Sequence, residues 1–305
     1  MQIVLAKPRG FCAGVNRAVA VVERALAKYG APVYVRHEIV HNRTVVEELK
    51  NKGAVFVEDV ADIPEGSVVI FSAHGVSREV EQNARARGLT VIDATCPLVM
   101  KVHREVAAMH AEGRLVVMIG HKGHAEVEGT MGQIEGGIVC VSSVKEVLAL
   151  SFGERVRMGY VTQTTLSIDE TREIIEALKS KYPGVTSMDK ADICYATQSR
   201  QSAVARLAGE VDLFLVIGSS TSSNSNRLRD KALREGVEAH LIDSWRDIDP
   251  AWLEGRRRIG ITAGASAPEH LVQEVVARLK ALGPVEVSEM PGEADRIQFP
   301  LPTGV

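Results

Sequence analysis

An α/β fold built from three αβα units with mostly parallel sheets is predicted by three observations on this 305-residue chain. Short β-branched apolar runs alternate with amphipathic stretches along the whole length, the pattern of buried parallel strands joined by helices. Three of the four cysteines, Cys12, Cys96 and Cys194, stand where such a run gives way to a helical pattern. Their separations, 84 and 98 residues, are similar enough to suggest three units, where length alone would suggest about two domains.

In order, the apolar runs are 3–6, 68–71, 115–119, 156–160, 213–217 and 259–261, each bounded by turn signals. After Cys12, Val15, Val19, Val22 and Leu26 recur at helical spacing until Gly30 and Pro32 stop the pattern. After Cys96, Pro97 suits a first helical turn, and Leu98, Val99, Val102 and Val106 continue the stripe to Gly113. After Cys194, Val204, Leu207 and Ala208 give a shorter one. The boundaries that follow are 1–95, 96–193 and 194–281 for the three units, with a C-terminal arm over 282–305 in which 296–302 reads as an extended segment packed on the body. The economical arrangement places the units around a pseudo-threefold axis, with ligands bound at the carboxyl ends of the strands.

Composition excludes several classes of function. Lys and Arg number 36 against 39 Asp and Glu, so the net charge of -3 leaves no basic stripe for nucleic acid. Six Phe, five Tyr and two Trp are too few for stacking platforms on single strands. No apolar run is long enough to span a bilayer, and the polar start with Lys7, Arg9, Arg17, Glu23 and Arg24 reads as part of a cytoplasmic protein.

The cysteines carry the first chemical signal. Cys140 lies inside the apolar run Gly-Ile-Val-Cys-Val-Ser with no helix start behind it and reads as structural. Taken singly, each of the others also reads as a small buried hydrophobe. Counted together they open a register. His41, His124 and Ser222 lie 29, 28 and 28 residues after Cys12, Cys96 and Cys194, and His74, Thr164 and Ser266 lie 62, 68 and 72 residues after them. Each unit thus offers one thiol and two hydrogen-bonding loops. Thiols at helix N-termini are stabilised as thiolates, which favours metal ligation. No two cysteines form C-x-x-C, so a zinc knuckle or a ferredoxin-type run is excluded. Two metal readings stay open: a [4Fe-4S] cluster with one iron left free for a substrate oxygen, or a three-thiolate zinc with a bound water.

The loops favour an anion. Gly-Ser-Ser-Thr-Ser-Ser-Asn-Ser-Asn-Arg at 218–227 falls between a strand and a helical pattern, where hydroxyls, amides and a helix N-terminus make a phosphate cradle. Thr-Ala-Gly-Ala-Ser-Ala-Pro-Glu at 262–269 is a second such corner, and Gly-His-Lys-Gly-His-Ala-Glu at 120–126 a third. Neither a P-loop nor a G-x-G-x-x-G fingerprint is present. Glu126, close to His124, would be pushed towards its protonated form by a bound polyanion and so suit a proton donor; alternatively it is a helix-start glutamate. Read from residues alone, a zinc hydrolase of a phosphorylated metabolite and a non-catalytic anion binder compete with the iron–sulfur reading.

These residues resemble the 4-hydroxy-3-methylbut-2-enyl diphosphate reductase family, which catalyses the last step of the non-mevalonate isoprenoid pathway. The resemblance runs through nearly the whole chain: Arg-Gly-Phe-Cys-Ala-Gly-Val at Cys12, Val-His-Asn at His41, Ser-Ala-His-Gly-Val at His74 and Asp-Ala-Thr-Cys-Pro-Leu-Val at Cys96. It continues through Glu-Val-Glu-Gly-Thr-Met-Gly from Glu126, Thr-Gln-Thr-Thr-Leu-Ser at Thr164, Ile-Cys-Tyr-Ala-Thr at Cys194, Ser-Ser-Asn-Ser-Asn-Arg-Leu from Ser222, and Thr-Ala-Gly-Ala-Ser-Ala-Pro. The resemblance implies one central [4Fe-4S] cluster with three ligands, Cys12, Cys96 and Cys194, whose open iron takes the substrate's allylic hydroxyl. It implies that two electrons and two protons expel that hydroxyl as water, giving isopentenyl or dimethylallyl diphosphate. His41, His74, His124, Ser222, Ser223, Asn224 and Ser266 would hold the diphosphate, Glu126 would supply the proton and Thr164 would orient the substrate beside it. A ferredoxin or flavodoxin would bring the electrons. Ser220-Thr221 departs from the Lys-Asn expected at that place.

Overall fold

The computed structural model describes residues 1–153, 156–188, 192–293 and 295–305. It is an α/β structure in which every strand pairing among the described residues is parallel. The chain forms two compact units. One comprises Met1–Asn16, Val40–Glu48 and Tyr195–Gln298, the other Arg17–Ile39, Leu49–Cys194 and Phe299–Val305.

The first unit holds a five-stranded sheet in the order Glu238–Ile242, Leu213–Ile217, Arg258–Ala263, Gln2–Leu5, Glu286–Glu289. The first strand of the chain therefore pairs with two strands of its last third. Leu213–Ile217 is buried at every position because helices cover both faces, which is why it reads as a continuous apolar run. Leu213, Leu215 and Ile217, with Ile3, Leu5, Ile259 and Ile261, pack against Leu271, Val275 and Leu279 of the helix Glu269–Ala281. Their neighbours Phe214, Val216 and Val4 point the opposite way, onto Ala203, Val204 and Leu207 of the helix Tyr195–Ala208.

The second unit holds two sheets. One runs Ala54–Val57, Val33–Arg36, Val68–Phe71, Thr90–Asp93, and the other Ile138–Val141, Leu115–Ile119, Met158–Thr162. The same alternation builds its layers: Val117 and Ile119 join Ile174 and Leu178 on one face, while Val116 and Met118 join Val102, Val106 and Met109 on the other. The run expected at 156–160 is a strand two residues later, and Val156 is exposed. The helix Ala13–Tyr29 buries Val15, Ala18, Val21, Val22 and Ala25, leaving Val19 and Leu26 only half-buried. Its buried face thus adds Ala18, Val21 and Ala25 to the Val15 and Val22 of the expected stripe. Residues 299–305 of the arm have no regular structure and are held by their carbonyls: Pro300 accepts from Arg17 Nε at 2.8 Å, and Gly304 from Lys28 Nζ and Tyr29 OH, both at 2.9 Å.

Because the strands are parallel, their carboxyl ends lie along one edge of each sheet, and the loops that leave them carry the residues singled out above.

Candidate functional site

In the first unit, three neighbouring strands release the loops 6–12, 218–222 and 264–268. Cys12 precedes the helix Ala13–Tyr29, its carbonyl accepts the first helical bond from Asn16 N at 2.9 Å, and its own N–H donates to Ala265 O at 3.2 Å. Ser222 is the N-cap of the helix Ser223–Arg234, accepting from Ser225 N at 3.3 Å. Asn224 in the first turn is buried; its Oδ1 accepts from Ala265 N at 2.8 Å and its Nδ2 donates to Thr197 Oγ1 at 3.3 Å. Ser266 Oγ donates to the His41 carbonyl at 2.9 Å and lies 3.4 Å from Ser222 Oγ. One hydrogen-bonded web thus joins Cys12, His41, Ser222, Asn224 and Ser266, with half-buried Ser223 beside it. Gly264 is required there because a Cβ would run into the Ser225 side chain. Ser220 and Thr221 are exposed, and the corner is closed without a lysine by Asn226 Nδ2 donating to the Ser220 carbonyl at 2.7 Å.

In the second unit, four strands release the loops 72–77, 94–96, 120–124 and 163–167. Cys96 is the N-cap residue of the helix Pro97–Ala111, and its N–H donates to Ala73 O at 3.0 Å, tying it to the loop of His74. His74 meets His124 edge to face with ring centroids 5.8 Å apart. His124 caps the helix Ala125–Met131, its Nδ1 accepting from Glu126 N at 3.1 Å, a contact that makes Nε2 the protonated, donating nitrogen. Glu126 is only 3% exposed. Its Oε1 accepts from Thr164 N at 2.6 Å and its Oε2 from Thr164 Oγ1 at 3.0 Å. The Thr164 carbonyl in turn accepts from Cys194 N at 3.0 Å, immediately before the helix Tyr195–Ala208.

Burial pushes the Glu126 carboxyl up to about 7, against the two Thr164 hydrogen bonds that favour the anion. The direction is the one the sequence suggests, but the cause is removal from water and needs no bound polyanion. Cys140 lies in the middle of the strand Ile138–Val141, its Sγ 3.5 Å from the Gly120 carbonyl, and burial pushes its thiol up. The other three cysteines are in no disulfide, partly exposed, and each directly ahead of a helix, a placement suited to a thiolate ligand of an iron–sulfur cluster.

Two residues beyond the predicted set stand out. His37 is the one non-glycine residue with positive φ among those described, at 61°; its Nδ1 lies 2.9 Å from Glu58 Oε2, and its ring meets His74 edge to face at 5.8 Å. Its signal in the sequence is the spacing His-Glu-Ile-Val-His ahead of His41. Gln163 is fully buried, accepting from His121 N at 3.1 Å and donating to Thr165 Oγ1 at 3.2 Å, so it ties the loop of His124 to that of Thr164.

Gly75 follows His74 at φ +78°, and a Cβ there would stand 2.6 Å from the ring of His103. Burial holds that ring neutral, with a pKa near 4 against the pull of Asp93. Gly75→Ala should therefore cost about 1–3 kcal/mol in denaturant unfolding, since strained backbone and overpacking combine. A loss below about 0.5 kcal/mol would show that the loop of His74 adapts freely.

A family model described as LytB protein matches residues 3–280. The chain is 60% identical over 304 residues to the 4-hydroxy-3-methylbut-2-enyl diphosphate reductase of Bordetella pertussis, an alignment covering 100% of this chain and 94% of that protein. Among solved structures it resembles the E-1-hydroxy-2-methyl-but-2-enyl-4-diphosphate reductase from Plasmodium falciparum with a TM-score of 0.94 and 38% identity, covering 98% of this chain and 95% of that one. A second, titled (E)-4-hydroxy-3-methyl-but-2-enyl diphosphate reductase, the terminal enzyme of the non-mevalonate pathway, matches with a TM-score of 0.66 and 34% identity over 92% of this chain and 99% of that one.

Proposed function

The chain belongs to the LytB protein family, and from that premise we propose that it reduces 4-hydroxy-3-methylbut-2-enyl diphosphate to isopentenyl and dimethylallyl diphosphate. The allylic C–O bond breaks, two electrons enter, one proton leaves with the oxygen as water, and one is taken up at either end of the allyl unit. The family is one of iron–sulfur enzymes, and we assign Cys12, Cys96 and Cys194 as the ligands of a [4Fe-4S] cluster with one open iron. When bound, that cluster supplies the electrons and a Lewis acid for the substrate's hydroxyl group.

The chain's own residues do the rest. His41, His74, His124, Ser222, Ser223, Asn224 and Ser266 bind the diphosphate through hydroxyls, an amide and imidazoles, so the site can exclude water without a crowd of fixed cations. Glu126 holds the proton near neutral pH, and Thr164 orients the carboxyl through two hydrogen bonds. The observation that carries this reading is the chain Glu126–Thr164–Cys194, which ties a protonatable buried carboxyl to the backbone of a proposed ligand through one residue. We assign a ferredoxin or flavodoxin as electron donor, since no nucleotide fingerprint is present. No helix among the described residues is long and apolar enough to cross a membrane, which accords with a cytoplasmic enzyme. The same reading keeps three αβα units, 1–95, 96–193 and 194–281, and an arm over 282–305, the first strand being lent to the sheet of the third unit.

Protein purified without oxygen should be brown, with iron and acid-labile sulfide near 4:4 per chain, and should consume the substrate with a chemical reductant. A colourless protein holding one zinc would favour the three-thiolate hydrolase instead.

A further inference from the structure

Each helix that follows one of the three cysteines carries a cation in its second turn: Arg17 in Ala13–Tyr29, Lys101 in Pro97–Ala111 and Arg200 in Tyr195–Ala208. Arg17 and Arg200 are 8% and 1% exposed, a placement that is costly for a guanidinium unless its donors are used. Arg17 Nη1 donates to Thr95 O at 3.0 Å and Nη2 to Asp93 O at 3.4 Å, and Thr95 is the residue before Cys96. Arg200 donates through Nε and Nη2 to Gly10 O, at 3.1 and 2.8 Å, and through Nη2 to Phe11 O at 3.4 Å, the two residues before Cys12. Lys101 Nζ lies 3.5 Å from Asp192 Oδ1, two residues before Cys194, while Asp192 Oδ2 accepts from Thr162 N at 3.0 Å.

In chain order these contacts close on themselves. The helix after Cys12 holds the approach to Cys96, the helix after Cys96 holds the approach to Cys194, and the helix after Cys194 holds the approach to Cys12. We propose that Arg17, Lys101 and Arg200 are positioning residues for the cluster, each fixing the backbone that leads into the next ligand and offsetting part of the cluster's negative charge. The proposal rests on the assignment of Cys12, Cys96 and Cys194 as ligands. Ligand positioning and nearby charge are the means by which a protein sets the retention and potential of such a group. The arm, which carries no motif, supplies counterparts: Pro300 O accepts from Arg17 Nε at 2.8 Å, and the Asp295 carboxylate lies 2.8 Å from Arg200 Nη1.

The test uses the full chain, purified without oxygen, as R17M, K101M and R200M beside the charge-retaining R17K, K101R and R200K. The methionine variants should have a more negative cluster potential than wild type and lose iron in air several-fold faster, whereas the charge-retaining set should keep the potential. Hydrogen exchange on the same samples should rise over 93–98 in R17M, 192–196 in K101M and 9–14 in R200M. If a methionine variant does not fold, its charge-retaining counterpart still reads the contact, because the altered head group weakens the bonds to the same segment. Unchanged potential and iron retention across the methionine set, or exchange that rises only around the substituted helix, would overturn the proposal. An iron-free wild type would sink the ligand assignment instead, and the exchange pattern would then decide the positioning role alone.

Discussion

Glu126→Gln should abolish turnover while leaving the iron and sulfide content unchanged, and it should make the cluster-free chain more stable at pH 8. Both effects come from one carboxyl. Burial raises its pKa from 4.5 to about 7, so between those values the folded chain holds a proton that the unfolded chain has released. Its contribution to stability is therefore full below pH 4.5, declines as pH rises to 7, and above 7 amounts to a cost of about 3 kcal/mol for keeping a buried anion. A glutamine avoids that cost and keeps both contacts, accepting from Thr164 N through Oε1 and donating through Nε2 to Thr164 Oγ1. Urea unfolding should show the variant ahead by up to about 3 kcal/mol at pH 8 and level with wild type at pH 4.5. The same pKa predicts that wild-type turnover falls as pH rises through about 7, as the proton donor is lost. Near-normal turnover in the variant would remove Glu126 as donor, and a stability difference independent of pH would show that its proton is not held by burial.

That this carboxyl was legible in the sequence at all depended on its neighbours. Glu126 sits two residues from His124 in a strand-to-helix corner, and parallel α/β architecture makes such corners the place where ligands bind. The strands that announce these corners, Val68–Phe71, Leu115–Ile119 and Leu213–Ile217, are buried on both faces and read as apolar runs with correct ends. Glu238–Ile242 and Glu286–Glu289 lie at sheet edges, carry charge and leave no comparable run, whereas the edge strand Ala54–Val57 is an apolar run, Ala-Val-Phe-Val, that the expected set passes over. The place of Gln2–Leu5 beside strands from the other end of the chain is a long-range pairing that no local pattern encodes. The polar side chains divide in the same way. Cys12, Cys96 and Cys194 repeat at regular intervals and could be counted. His37 owes its position to a backbone with φ 61°, and Asp192 owes its own to Lys101 and Thr162, each far from it in the sequence.

Serine at Cys12, Cys96 or Cys194 should each reduce the iron bound per chain by more than about tenfold, and serine at Cys140 should leave it unchanged. The physical contrast lies in what each sulfur faces. Cys96 lies at the end of the loop after the strand Thr90–Asp93 and is the N-cap residue of a helix, while Cys12 and Cys194 directly precede helices, positions whose N–H groups and dipole suit a metal-bound sulfur anion. A serine hydroxyl at these positions stays protonated and gives iron a poor oxygen donor where it had a sulfur anion. Cys140 faces the opposite conditions, mid-strand with burial raising its thiol and only the exposed Lys122 opposing. Its replacement exchanges a weak contact to the Gly120 carbonyl for an ordinary hydroxyl contact, with a stability change below about 1 kcal/mol. The outcome at Cys140 also bears on the reaction. A cluster ordinarily closed by four cysteines has no iron free for a substrate oxygen, so iron loss from Cys140→Ser would argue for a closed electron-transfer centre and against reductive dehydroxylation. Retention of iron in that variant, with loss in the other three, is the result expected of an open centre in which the fourth position belongs to the substrate.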